Sequence, residues 1–338
     1  MGIPVKISTG IPFFIVAAEG RPEGSIWMFR QRRITRFIVI LLAAAFFCAS
    51  AGLSAADDEE QIYVENEWNF VDGSMNAMRG IPDDATGVLD RIRRKGVLRV
   101  ATEPYYPPQE FIDPDMTGQD QYAGADMELA RLIAARMGVK LEIIPMEFTQ
   151  VLPALTEDQC DLTISALSYT PARATSYSLS KGYYFTDSAA STGFIIREAD
   201  REKITSLDDL ADKVLIAQSS SLQETLAANH VHSYKEFRRI SAVQTVYDAV
   251  RTGRADAGVV DITMAENYIK NNPDCGLCMA EGLTFSLDEE YRGDRIAAKK
   301  GETMLLYFVN GVIDEVLKDG TYMQWFEEAR KRAEELGL

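Results

Sequence analysis

The chain has 338 residues, 46% hydrophobic and 25% charged, with no low-complexity tract, which is the composition of a globular protein of about two domains. Its 35 basic and 51 acidic residues give a net charge of −16, which argues against a general nucleic-acid surface. No G-x-G-x-x-G, Walker, G-x-S-x-G or H-E-x-x-H pattern is present, and His230 and His232 read as a surface helix end rather than a metal site, so neither metal nor cofactor is expected.

The first elements are those of a targeting signal. Arg30, Arg32, Arg33 and Arg36 form a basic region, residues 37–47 an apolar one, and Ser54-Ala55-Ala56 reads as a cleavage site. The apolar run is too short for a comfortable membrane span, so cleavage is favoured over anchoring. Cys48 follows Phe47, where a lipoprotein signal needs a small residue, so lipidation is disfavoured. Met28 stands just before the signal, which marks 1–27 as an extension from an upstream start and 28–56 as the signal peptide. The remainder holds 29 basic and 49 acidic residues, a net charge of −20. It works in an oxidising compartment, where Cys275-Gly276-Leu277-Cys278 has the spacing for a disulfide. The pair lacks thioredoxin-type flanks and reads as structural or idle, while Cys160 reads as core filling.

Residues 57–90 are acidic and weakly periodic, and regular order begins at Gly96. A strand is predicted over 97–102. Asp126 is placed to cap a helix whose apolar face is Met127, Ala130, Ile133, Ala134 and Met137, with Gly138 ending it. A strand over 141–146, a short helix over 150–158 and a strand over 161–166 complete a β-α-β-α-β run, the signature of a parallel sheet covered by helices. The pattern then restarts. Strands are predicted over 194–197, 214–218, 236–240 and 257–261, and helices over 206–211, 222–229 and 262–269. Ser241 and Gln244 suggest a capping box for a helix ending at Gly253. A strand over 295–299 and helices over 303–318 and 322–336 finish the chain.

Open α/β sheets bind ligands beyond the carboxyl ends of their strands. The strand ends here deliver Glu103 and Tyr106, then Ser165, Ser168 and Arg173, then Ser219, Ser220 and Ser221 at a helix start, and finally Asp261. A guanidinium in the first turn of a short helix is disfavoured by the helix dipole, but an anion there meets both its fork and free N–H groups. Asp261 suits an ammonium. The two ends together outline an α-amino acid. Taken singly, the same residues also read as a solvated arginine, a helix-capping aspartate, an N-cap serine cluster and a core tyrosine.

Five segments, in order, carry a resemblance. They are KGVLRVATEPYYPPQEFID with a Y-x-P-F-E-like loop, GADMELARLIAARMG with a G-F-D-x-D-L-A-like helix, FTQVLPALTEDQCDLTISALSYTPAR ending in T-x-x-R, AVRTGRADAGVVD, and KDGTYMQWFE. Residues from about 95 to 330 thus resemble the bacterial extracellular solute-binding family that delivers polar amino acids to ABC importers. The resemblance implies an α/β, two-lobed periplasmic-binding-protein fold. Each lobe is a mixed sheet flanked by helices, and two strands make the hinge. Lobe 1 would comprise 91–187 and 292–338 and lobe 2 residues 188–291, with 57–90 left as an acidic extension. It also implies that Arg173 binds the ligand carboxylate with help from Ser168, that Asp261 binds the ammonium, and that Ser220 and Ser221 close over the carboxylate. Glu103 would meet the side chain, Tyr106 and Phe148 would wall the pocket, and Ala166 would offer its carbonyl. The expected protein is a periplasmic monomer that closes on an amino acid and docks on a membrane permease. Two other readings remain open: a cyclohexadienyl dehydratase-like enzyme with Glu103 as its acid, and the sensor domain of a receptor.

Overall fold

The computed structural model describes residues 80–185, 190–286 and 292–338. The expected upstream extension and signal peptide, with residues 57–79, lie outside the described residues, and the hinge crossings expected at 187–188 and 291–292 involve residues that lie outside them too. Among the described residues, no helix is long and apolar enough to cross a membrane.

Order begins earlier than the sequence suggested. Helix α1 (Gly87–Lys95) buries Val88, Leu89 and Ile92, one apolar face at helical spacing. Its basic last turn suits the helix dipole, and Gly96 closes it in the left-handed conformation. Strand β1 (Val97–Thr102) runs parallel to β5 (Lys140–Pro145) on one side and β6 (Leu162–Thr163) on the other. The late strand β13 (Ala297–Lys299) joins β6 antiparallel and is followed in the sheet by β7 (Tyr177–Leu179). The sheet order is β5-β1-β6-β13-β7. Helices α2 (Ala125–Met137), α9 (Thr303–Lys318) and α10 (Thr321–Leu336) add Leu129, Ile133, Phe308, Val312 and Tyr322 to one core with Leu98 and Val100. Several of these are fully buried, each contributing roughly 1.5–3 kcal/mol of apolar transfer.

The second sheet has the order β10-β9-β11-β8-β12, from β8 (Ala190–Arg197), β9 (Val214–Gln218), β10 (Glu236–Ile240), β11 (Ala257–Asp261) and β12 (Leu277–Ser286). Strand β9 is parallel to β10 and β11, whereas β8 is antiparallel to β11 and β12. The interiors of β9 and β11 are free of polar side chains because both faces are covered, with Gln218 and Asp261 held to the carboxyl ends. Phe194, Ile196, Leu215, Ala217 and Val259 fill one core, and Ile195, Ile216 and Val260 the other. Helix α6 (Leu222–His230) covers the first face, and α7 (Val243–Arg251) the second. Helix α8 (Ile262–Asn271) follows β11 directly.

Several local expectations are corrected. The strand over 161–166 shrinks to β6, because the Asp161 carboxylate takes the Arg99 N–H and guanidinium while Ala166 turns the chain at φ +43°. The helix over 150–158 splits into α3 (Phe148–Val151) and α4 (Pro153–Thr156), Pro153 having no N–H to continue the ladder. Asp126 does not cap α2. Gly124 holds that position, and the Asp126 carboxylate turns inward to accept from Tyr183 Oη (2.8 Å), Tyr322 Oη (2.7 Å) and Ala166 N (3.0 Å). The capping box at Ser241 and Gln244 is absent, because α7 starts after Ala242 and Gln244 donates to Tyr105 O at 2.8 Å. Cys275 and Cys278 are free thiols rather than a disulfide. A small antiparallel sheet of β2 (Tyr105–Tyr106), β3 (Glu110–Ile112) and β4 (Tyr122–Ala123) was not foreseen.

Candidate functional site

A cavity of about 90 Å³ lies at the carboxyl ends of the central strands of both sheets. From the first sheet, β1 delivers Glu103, and the turn after β6 delivers Ser165, Ala166 and Ser168. Helix α5 (Pro171–Ser176) delivers Arg173. Thr170 caps this helix by accepting from the Arg173 N–H at 3.1 Å. From the second sheet, β9 delivers Gln218 and Ser221, and β11 delivers Asp261.

Arg173 is buried, and its guanidinium donates to Ser168 O at 2.7 Å and to Ser220 O at 2.9 Å. It lies 5.8 Å from the centre of the Phe148 ring. Burial lowers its pKa to about 10, which leaves it charged near neutral pH but poorly solvated, so an anion beside it is favoured. Asp261 caps α8 by accepting from Met264 N at 3.0 Å, so the helix-cap reading is real, yet the same residue borders the cavity. Burial raises its pKa to about 6, against hydrogen bonds from the α8 amides and the Tyr106 hydroxyl. Tyr106 and Phe148 both line the cavity, as does Ala166, whose N–H is engaged by Asp126.

Glu103 sits differently from its expected role. Both its oxygens accept from Gln218 Nε2, at 2.9 and 2.8 Å, across the two lobes. Burial lifts its pKa to about 7, partly offset by that amide. Ser221 lines the cavity, but its hydroxyl caps α6 by accepting from Glu224 N and donates to Gln218 O. Ser220 is exposed and takes part through its carbonyl on Arg173.

Sequence reasoning missed Gln109, Glu110, Tyr184, Ser191, Gln218, Asp294 and Phe326, all on the cavity wall. Gln218 ends a strand and met the criterion used for the others. Asp294 pairs with Ser168 in an isolated bridge, and burial pushes its carboxyl far above the usual range. It reaches the site only because the chain returns to the first sheet after completing the second. Glu110 accepts from Ser165 Oγ at 3.0 Å, and burial beside Asp126 pushes its carboxyl well above the usual range.

Two mixed α/β sheets with a polar, charged cavity at their shared strand ends define a two-lobed ligand-binding protein. The chain belongs to the bacterial extracellular solute-binding proteins, family 3, which residues 98–328 match. It is 28% identical to the L-cystine-binding protein TcyJ of Escherichia coli K12 over 71% of this chain and 86% of that protein. It is 26% identical to an L-arginine-binding protein of Pseudomonas aeruginosa, over 67% of this chain and 85% of that protein. An amino acid ABC transporter substrate-binding protein, AbpA of Streptococcus pneumoniae, solved bound to L-arginine, superposes with a TM-score of 0.64 at 29% identity, over 72% of this chain and 98% of its own. An ancestral amino-acid-binding protein, described as a precursor of cyclohexadienyl dehydratase, gives 0.60 at 28% identity, over 72% of this chain and 99% of its own.

Proposed function

We propose that this protein captures a polar L-amino acid between its lobes outside the cytoplasm, in the periplasm after loss of residues 1–56, and delivers it as a monomer to the permease of an ABC importer. The observation that carries the reading is the pairing of Arg173 from one lobe with Asp261 from the other on a single cavity wall. Arg173 would take the carboxylate, Asp261 and the Tyr106 hydroxyl the ammonium, and Phe148 the apolar flank. Ser168 and the Ser220–Ser221 turn hold the guanidinium where the carboxylate arrives. Contacts to both lobes favour the closed form, so ligand binding and closure are one equilibrium. Arg173→Ala should cost on the order of 3 kcal/mol or more of binding free energy, because a buried ligand carboxylate loses its bidentate partner. Calorimetry that finds near-native affinity would overturn the carboxylate assignment.

A second reading rests on Glu103, whose pKa of about 7 in a cavity is that of a poised acid. As a dehydratase, the protein would release an aromatic product from a carboxylated cyclohexadienyl ring. The two Gln218 hydrogen bonds argue for a bridging role instead. Incubation with prephenate and arogenate, followed by absorbance of aromatic product, separates the readings, and no turnover is expected.

A further inference from the structure

Gln218 donates to both oxygens of Glu103, so Glu103 is partly engaged and the side chain of a bound amino acid needs further groups to read it. Three polar atoms among the described cavity residues have no hydrogen-bond partner, one of them the second oxygen of Glu110. Gln109 is 6% exposed, and its Oε1 meets no donor; Ser191, on β8 of the other lobe, has an unpaired Oγ. An unpaired buried oxygen costs about 1–3 kcal/mol, which a donor-bearing ligand group would recover.

Gln109 also stands where the Y-x-P-F-E-like loop calls for phenylalanine, so this chain puts an amide where the motif puts a ring. Its backbone is fixed independently of its side chain. The N–H donates to Tyr106 O at 3.1 Å, and the carbonyl accepts from Asp126 N at 2.9 Å. The side chain is therefore free to vary with the ligand while the loop stays in place.

Charge on the wall points the same way. Glu103, Glu110, Asp261 and Asp294 face Arg173 and Arg292. Burial raises the pKa of all four carboxyls, the mark of groups short of a cationic partner. An amino-acid zwitterion brings one cation and one anion, so beyond an ammonium for Asp261 and a carboxylate for Arg173 it offers the other carboxyls no cationic partner. A further positive charge on the ligand supplies one, and in a desolvated site that counts for more than in water.

We propose that the cavity takes an L-amino acid whose side chain ends in a positively charged hydrogen-bond donor, and that Gln109 is the residue that reads that end. The inference rests on the amino-acid reading above. A wall built around unpaired acceptors rejects an analogue that lacks the donor more strongly than it rejects a change of one methylene.

The test is calorimetric titration of native protein, Gln109→Phe, Gln109→Leu and Gln109→Glu with lysine, arginine, glutamine and norleucine, which matches lysine in length without its charge. Native protein should bind lysine or arginine at least tenfold more tightly than norleucine. Phenylalanine or leucine at 109 should shrink that ratio at least tenfold, and glutamate should preserve or widen it. If Gln109→Phe fails to fold, as judged by thermal unfolding, the smaller leucine variant carries the comparison. Equal affinity of native protein for lysine and norleucine would overturn the inference, as would parallel losses for charged and neutral ligands in both apolar variants. Neutral amino acids binding where cationic ones do not would end this inference and leave the amino-acid reading standing. Failure of every amino acid to bind would end that reading itself.

Discussion

Asp261 performs two tasks with one carboxylate. It caps α8 through Met264 N, and it faces the cavity with a pKa raised to about 6 by burial. A ligand ammonium needs the ionised form, so binding and proton loss compete below that pH. The sign follows directly. Above pH 6 the carboxylate is already charged and affinity is flat; below it, each pH unit should weaken binding about tenfold, the weight of one proton. Asp261→Asn keeps the shape but loses the charge. We expect its affinity at pH 7.5 to fall at least tenfold, roughly 1.4 kcal/mol or more, and its pH dependence between 4.5 and 6 to flatten. Titrations at four pH values measure both effects, and a native-like dissociation constant would leave Asp261 as a helix cap alone.

At the scale of elements, Gly124 links fold to site. Its φ of +119° belongs to a region that side chains rarely enter, and a Cβ there would stand 2.1 Å from Gln109 O. The absence of a side chain lets the start of α2 press on the loop that carries Gln109 and Glu110. Gly124→Ala should destabilise the protein by about 2 kcal/mol or more, from backbone strain and the clash together. Urea unfolding checks this, and unchanged stability would show that the loop moves aside freely. The same contact explains what could be read in advance. Strands β9 and β11 were legible because burial on both faces writes an unbroken apolar run. Strands β2 to β4 were not, since two or three residues carry no periodicity and their pairing is set by packing. Arg173 and Asp261 were legible because strand ends are where open sheets gather ligands. Asp294 lies in a turn placed by distant segments and nothing local marks it, while Gln109 departs from its own loop motif, a signal that was not used. Asp126 was misread because three donors from residues 166, 183 and 322 outcompete a local cap.

The two lobes of the whole molecule meet through polar contacts at several points. Gln218 bridges to Glu103, Arg173 to Ser220 O, Gln244 to Tyr105 O, and Lys270 to Glu334 at 3.0 Å. The burial of Glu103 at the first of these makes stability depend on pH. Glu103 titrates near 7 in the folded protein against 4.5 for an unburied glutamate, and Asp261 near 6 against 3.8. Between about pH 4 and pH 7 the folded state therefore holds protons that the unfolded chain has released. Stability must then fall as pH rises through that window and level off above it. Each pKa unit corresponds to about 1.4 kcal/mol, so the combined effect is on the order of a few kcal/mol. Glu103→Gln removes one of these contributions and should reduce the slope. Saturating amino acid should flatten the part due to Asp261, because a paired ammonium keeps that carboxylate ionised at lower pH. Thermal unfolding of native and variant protein from pH 4.5 to 8, with and without ligand, measures both contributions. A native slope of opposite sign, or one that survives unchanged in Glu103→Gln, would show that the buried Glu103 carboxyl is not what couples stability to protons.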